Sequence, residues 1–436
     1  MAIKIYISIL TTLLLTQQAS ALITVNSFKE DHVPGQLIIK LKSNALMAKN
    51  MLLSTGAKEI RSFKEISSAL YSFPESTDLQ KLALNLQDQS DVDYVELNQY
   101  HYLQAAPADP HYSKVYGLNN TGQSGGAHDA DIDAPEAWAI TKGSKRVLIG
   151  VIDTGVDYSH PDIIDNYWVN PGESGLDSRG RNKRTNGIDD DGNGYIDDYK
   201  GWDFYSNDND PKDRHGHGTH CAGIIGARGN NNKGITGVNW YVSIVGLKVF
   251  DDRGKTRTDA LVAAINYASL MKIPITNNSW GSYRYSDAIK DSIQNANRSN
   301  MLFVAAAGNY HGNNDSKPFY PASYNVPNII SVAATDHKDN ITSFSNYGSS
   351  SVDIGAPGNR IYSSISLNKG SYSFKNGTSM AAPYVAGVAG LLKARRSGVS
   401  ASKMKRAIIN SGDLVPGLKG QVQSGRRLNA YKALNQ

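Results

Sequence analysis

Short unbroken apolar runs alternate with stretches of helical period through most of this chain, and that alternation leaves few folds open. Residues 147–152 (VLIGVI), 244–249 (IVGLKV), 275–278 and 302–306 read as buried strands. Residues 217–227, 258–272, 287–298 and 379–395 read as the helices between or after them. Strands apolar on both faces need cover on both. The expected fold class is therefore α/β: three layers, with a mainly parallel central sheet between helices. In such sheets ligands gather at the carboxyl ends of the strands.

A second, smaller unit precedes this one. Strand-like runs at residues 36–41 (QLIIKL), 69–73 and 93–97 are interleaved with helical stretches at 44–53 and 79–87. This βαββαβ-like order predicts a small α/β, ferredoxin-like domain over residues 22–104. The Ala/Pro-rich stretch at 102–110 (YLQAAPADP) reads as an exposed, cleavable linker, and residues 105–436 form the main domain. The first 21 residues have the form of a signal peptide: Lys4, an apolar run over 5–15, and Ala19-Ser20-Ala21 as a small-x-small cleavage site. That run falls short of the ~20 residues a membrane span needs. A secreted protein is expected, extracellular, or periplasmic where the host has an outer membrane, with no membrane partner. The net charge of +5 is scattered over short basic clusters, which argues against nucleic acid as a partner. With Cys221 as the one cysteine, no intramolecular disulfide can form, so stability has to come from a large core, bound metal or both.

Three motifs carry chemistry. VIDTGVDYSHPD (151–162) places Asp153 where a buried strand ends and a glycine turn begins. HGHGTHCAG (215–223) packs glycines around histidines at a helix start. NGTSMAAPYVAG (376–387) puts Ser379 at another helix start, followed by small residues. Each fits one task of acyl transfer: a buried carboxylate, an imidazole, and a hydroxyl near a helix N-terminus. Singly, each is also compatible with a helix cap or a structural histidine; together, in the order Asp, His, Ser, they reinforce one another.

These segments resemble the subtilisin (subtilase) family of serine peptidases, with features of its thermitase-like and proteinase K-like members. The resemblance spans about residue 109 to the end. It implies that Ser379 is the nucleophile, His217 the base and Asp153 the residue that orients it. Ala306-Ala307-Gly308-Asn309 matches the family's oxyanion turn, which implies that Asn309 stabilises the oxyanion. It also implies an extended substrate held between Ser279-Trp280-Gly281 and Arg253-Gly254-Lys255. Phe319 stands where many members carry a small or polar residue at the foot of the primary specificity pocket. It reads either as ordinary packing or as a narrowing of that pocket. Since no carboxylate lies in the pocket segments, cleavage is expected after medium-sized or large uncharged residues. Residues 33–41 and 93–98 resemble subtilase inhibitor propeptides, so the N-terminal domain becomes an expected intramolecular inhibitor and folding template. The partners expected are protein and peptide substrates and this propeptide, with the enzyme a monomer.

Calcium is expected at two places. In NGIDDDGNGYIDD (186–198), Asp189, Asp191 and Asn193 alternate before Gly194, an arrangement of hard oxygen donors that suits Ca²⁺. Lys200 stands where a full helix–loop–helix site carries its closing glutamate, and a solvated acidic turn is the other reading. The second site is implied by the resemblance alone: Asp109, Asp162 and Asn231, completed by carbonyls of Arg228, Lys233 and Ile235. Cys221, four residues after His217, reads as a buried thiol or as a regulatory one.

Three other functions compete with a peptidase. A catalytically dead relative would show substitutions at Asp153, His217, Ser379 or Asn309, and none is present. A secreted calcium-binding structural protein leaves the three motifs unexplained. An esterase could use the same residues but has little need of an inhibitory propeptide.

Overall fold

The computed structural model describes residues 32–99 and 106–436. The expected signal peptide and residues 102–105 of the expected linker lie outside them. The chain divides into two compact units, Met1–Leu103 and Gln104–Gln436.

In the first unit, β1 (His32–Leu41), α1 (Leu46–Ser54), β2 (Lys58–Phe63), β3 (Ser68–Ser72), α2 (Leu79–Gln87) and β4 (Val92–Gln99) follow one another. The strands form one antiparallel sheet in the order β2-β3-β1-β4. Leu37 and Ile39 alternate onto one face of β1, where they pack with Ala48 and Leu52 of α1 and Leu82 and Leu86 of α2. Asp78 starts α2 by accepting the Lys81 N–H at 3.0 Å. Strand β2 escapes the sequence reading for a physical reason: it is an edge strand with its first five residues exposed, so it carries no apolar alternation.

The second unit is built on a nine-stranded sheet. Its strands are β5 (Gly143–Asp153), β6 (Gly201–Asp203), β7 (Tyr241–Lys248), β8 (Ile275–Asn278), β9 (Leu302–Ala306), β10 (Ile329–Thr335), β11 (Ile354–Pro357), β14 (Asp413–Leu414) and β15 (Arg426–Arg427). The order is β14-β15-β11-β10-β9-β8-β5-β7-β6, parallel throughout except for β14 at the edge. A separate hairpin pairs β12 (Ile361–Ser364) with β13 (Tyr372–Lys375). The helices are α3 (Ala134–Ile140), α4 (His217–Gly226), α5 (Thr258–Leu270), α6 (Asp287–Arg298), α7 (Thr378–Arg395), α8 (Ala401–Ser411) and α9 (Ala430–Leu434).

The pleat of β5 sends Ile149 and Val151 to the face covered by α4 and α7, and Ile152 to the face covered by α5 and α6. Each such side chain, fully buried, contributes about 1.5–3 kcal/mol. From β5 the chain runs out to β6 at the edge, comes back through α4 to β7 on one side of β5, then passes through α5 to β8 on the other. Strand order therefore reverses at β5, and the crevice this opens lies at the strand's carboxyl end, where Asp153 stands. Among the described residues no helix is long and apolar enough to cross a membrane.

Candidate active site

Asp153 is the last residue of β5 and is 1% exposed. Its Oδ1 lies 2.8 Å from Nδ1 of His217 and accepts the Thr154 N–H at 2.7 Å. His217 opens α4 behind Gly216, whose φ of 91° favours glycine. A Cβ on Gly218 would meet the Gly155 carbonyl at 2.0 Å, so only glycine lets the helix begin this close to the Asp153 turn. Burial opposes a charge on His217, but the neighbouring Asp153 carboxylate outweighs it and holds the imidazole above its ordinary value of 6.5. His220 is structural: its buried Nε2 meets the carbonyls of Ile361 and Ser373, each at 3.1 Å, and burial drives it down to about 3.

Asp213 is a positioning residue that the motif reading misses. Buried, it accepts the N–H groups of His215, Gly216 and Thr219 and the hydroxyls of Thr154 and Thr219. It thereby ties the start of α4 to the residue beside Asp153. Its signal in the sequence is an acidic residue four positions before the histidine, at a helix entry.

Ser379 is the second residue of α7, after Gly377 at φ 148°. Its Oγ donates to the Ser279 carbonyl at 3.2 Å, so the hydroxyl is turned to β8's end and not to His217. Asn309 Oδ1 accepts from Thr378 N at 2.8 Å and from Thr378 Oγ1 at 3.0 Å, which leaves its Nδ2 without a partner among the described residues. A Cβ on Gly377 would stand 3.3 Å from that Nδ2 and 3.5 Å from the Ser379 nitrogen. Two N–H donors thus converge on one small space kept open by glycine.

The four expected substrate contacts come together. Gly254, Ser279, Trp280 and Gly281 line a cleft of about 830 Å³ with Asp153 and His217. Lys255 is not among its lining residues; Arg253, Arg257 and Arg284 are. Cys221 is fully buried, its Sγ 3.8 Å from Asp153 Oδ2 and 3.4 Å from the Ser379 carbonyl.

Both expected metal clusters assemble, one with a changed membership. Asp109 and Asp162 are buried and form no ion pair among the described residues, and Asn231 Nδ2 reaches Asp162 Oδ1 at 3.3 Å. Burial raises Asp109, and the Asp162 carboxylate adds to the rise, while the backbone N–H groups of Asn230 and Asn231 counter it. In the acidic loop, oxygens of Asp189, Asp191 and Glu173 lie within 4.8 Å of one another. Glu173 is fully buried, with Oε2 unpartnered and its carboxyl pushed up by burial. Asn193 turns away, its Oδ1 on the Tyr195 N–H and its Nδ2 on Asp198. The all-oxygen donor set and the orphaned carboxylate oxygen fit a hard cation. Glu173 is invisible to motif reading because it lies outside the loop's own repeat.

Residues 144–429 match the model of the subtilase family, and residues 18–98 match that of the fervidolysin N-terminal prodomain. The chain is 37% identical to thermitase of Thermoactinomyces vulgaris over 329 residues, covering 75% of this chain and 99% of that protein. It is 32% identical to a thermophilic serine proteinase of Bacillus sp. strain AK1, covering 94% of this chain and 90% of the relative. A protease structure from Pseudoalteromonas arctica PAMC 21717 superposes with a TM-score of 0.60 at 24% identity, over 76% of this chain and 99% of the other, a likeness of fold. With this fold and these matches, the chain belongs to the subtilase family: a subtilisin-like serine endopeptidase carrying an N-terminal prodomain.

Proposed function

We propose that this endopeptidase hydrolyses peptide bonds through Ser379, His217 and Asp153, with Asn309 and the Ser379 N–H as the oxyanion donors. The 2.8 Å pair of buried Asp153 and half-buried His217 carries the reading. Rotation of the Ser379 side chain off the Ser279 carbonyl presents Oγ to His217, and substrate-free sites commonly hold this bond loose. His217 takes the hydroxyl proton as Oγ attacks the scissile carbonyl, then passes it to the leaving amine. Asp153 holds Nδ1–H throughout and favours the imidazolium that forms. The new oxyanion settles between Asn309 Nδ2 and the Ser379 N–H, donors already in place.

The finer points of the reading follow from the same features. The protein is secreted as a proprotein and matures by cutting itself near residue 104, and the prodomain (22–104) acts as its inhibitor. The mature enzyme is a monomer, prefers uncharged residues before the scissile bond, and holds calcium for stability. Asp109, Asp162 and Asn231 would bind one ion; Asp189 and Asp191, joined by Glu173 and flanked by Asn193, would bind another. A calcium ion held by these residues would neutralise their clustered carboxylates and so support the fold. A fluorophosphonate probe on the purified protein tests the central claim: labelling maps to Ser379 and disappears in Ser379→Ala and His217→Ala. Labelling at another serine would sink it.

A further inference from the structure

In the β12–β13 hairpin Ile361 pairs with Lys375 and Ser363 with Ser373, and residues paired across an antiparallel ribbon share one face of it. That face lies on α4. Ile361 is buried in the core that α4 covers, and Ser363 Oγ donates to the His220 carbonyl at 2.8 Å. Tyr362 and Phe374 occupy the other face, ring centroids 4.7 Å apart. Lys375 therefore leaves β13 on the α4 side, at the end where Asn376, Gly377 and Thr378 lead into Ser379. The turn between them is pinned: Asn376 Oδ1 accepts the Arg360 N–H at 2.6 Å, and the Gly377 N–H donates to the Gly358 carbonyl at 2.8 Å.

Lys375 is half-buried, and among the described residues its ammonium pairs with no carboxylate. The acids nearby are already engaged. Asp153 holds His217 and the Thr154 N–H, and Asp213 is bound to the entry of α4. Burial, and after Asp153 the Lys375 charge, act on the His217 imidazole, the lysine opposing the proton that the aspartate favours. The same charge acts on His215 and His220. The titratable groups that face His217 are thus Asp153 on β5, Asp213, His215 and His220 on the α4 segment, and Lys375 on β13, with the Cys221 thiol behind Asp153.

Lys375 does not line the 830 Å³ cleft, whose cations are Arg253, Arg257 and Arg284. Substrate residues before the cut lie in that cleft, between Gly254 and Trp280. The strand leaves it across Ser379, over the segment that carries Lys375. Building on the peptidase reading above, we infer that Lys375 is a specificity-determining residue, selecting substrates with Asp or Glu within the first two positions after the cut. A carboxylate there meets an ammonium that has no other partner. It also speeds the chemistry. Attack by Ser379 Oγ moves its proton to His217, Lys375 opposes the imidazolium so formed, and a substrate carboxylate cancels that opposition as the transition state is reached.

Peptides of one sequence, with the first and second positions after the cut varied over Glu, Gln and Lys, test this on the purified enzyme. At low salt kcat/KM should fall from Glu to Gln to Lys at one of the two positions, about threefold per step, the range of a single charge pair near a surface. The gain should appear in kcat as well as in KM and should shrink as salt rises. Lys375→Gln should level the three peptides and raise the pH midpoint of kcat/KM, since the imidazole loses a neighbouring cation. Lys375→Glu should reverse the order. Equal cleavage of the Glu and Gln peptides by the unmodified enzyme overturns the inference and leaves the peptidase reading standing. So does a Glu preference, or a pH midpoint, that Lys375→Gln leaves unmoved. Failure to cleave any peptide or an unfolded protein overturns both. The salt series on the unmodified enzyme answers even if the variants do not fold, because a Glu preference indifferent to salt also sinks the inference.

Discussion

Pro383 stands one helical turn beyond Ser379 and leaves the Ser379 carbonyl without its helical hydrogen bond. Ser279 supplies the missing donor, its Oγ 2.9 Å from that oxygen, and the Cys221 thiol adds a weaker contact. A residue that ordinarily breaks helices thereby fastens the start of α7 to the end of β8. Ser279→Ala should leave the carbonyl with the thiol alone and destabilise the fold by about 1–3 kcal/mol, with kcat lowered more than KM is raised. Thermal denaturation and steady-state kinetics measure the two effects, and an unchanged kcat would show that the fastening does not position the nucleophile.

Acid should silence the enzyme earlier than an ordinary histidine would. His217 is held above 6.5 by Asp153, and only the neutral imidazole can take the Ser379 proton. Activity should therefore rise with pH through a midpoint above 6.5, and Asp153→Asn should move that midpoint down while lowering kcat. Stability runs the opposite way. The charged pair strengthens the fold fully below the unfolded histidine's value and is lost as pH rises through the raised one. A pH profile of kcat/KM for both proteins reads the shift.

Asn309→Ala should cut kcat by about 10²–10³, the loss recorded for a subtilisin deprived of its own oxyanion asparagine. Because Asn309 Oδ1 also holds Thr378, Asn309→Asp separates the two roles: it keeps that acceptor and removes the Nδ2 donor. Both variants should be comparably slow if the donor is what counts.

Chelation should shorten the life of the folded enzyme more than it slows turnover. A cation bound only by the native state at a hundredfold excess over Kd stabilises it by about 2.7 kcal/mol. Glu173→Gln should lower the calcium dependence of Tm, since it removes a buried carboxylate from the cluster with Asp189 and Asp191. Equal inactivation rates with and without chelator would show that no bound cation supports these acids.

Salt should reveal a faint electrostatic preference. Arg253, Arg257 and Arg284 line the cleft, though Arg257 is paired with Asp259 at 3.2 Å. Exposed charges contribute about 0–1 kcal/mol each, so discrimination against upstream Lys and Arg should be small and should fade as salt rises.

Much of this is legible in the sequence, and the pattern of success follows burial. Strand β9 and helices α2 and α6 fall where their residues predict, because each has an unbroken apolar run or a clear period. Strands β6, β14 and β15 are two or three residues long, and what makes them strands is their neighbours. Asp153 and Ser379 stand at a strand end and a helix start that local motifs mark, whereas Asn309 and the choice of His217 among its neighbouring histidines come from the family resemblance. Glu173 depends on its approach to Asp189 and Asp191 from outside the loop, and the tie of Asp213 to Thr154 joins residues 59 apart, neither of which a local repeat encodes.

The parallel sheet has a consequence in time. Asp153 and His217 are 64 residues apart in the chain, and Ser379 and Ser279 are 100 apart. Parallel partners can meet only after long loops close, and that loss of entropy comes before any contact offsets it. The large unit is thus a slow folder, with sheet edges left unpaired during its search. The N-terminal unit closes no loop as long as that between Ser279 and Ser379: its widest pairing, β1 with β4, joins residues 51 (Leu41 with Val92) to 67 (His32 with Gln99) apart, and it reaches its fold sooner. What limits the supply of working enzyme is the waiting time of one half of the chain, and the half that the proposed maturation discards is the one that finishes first.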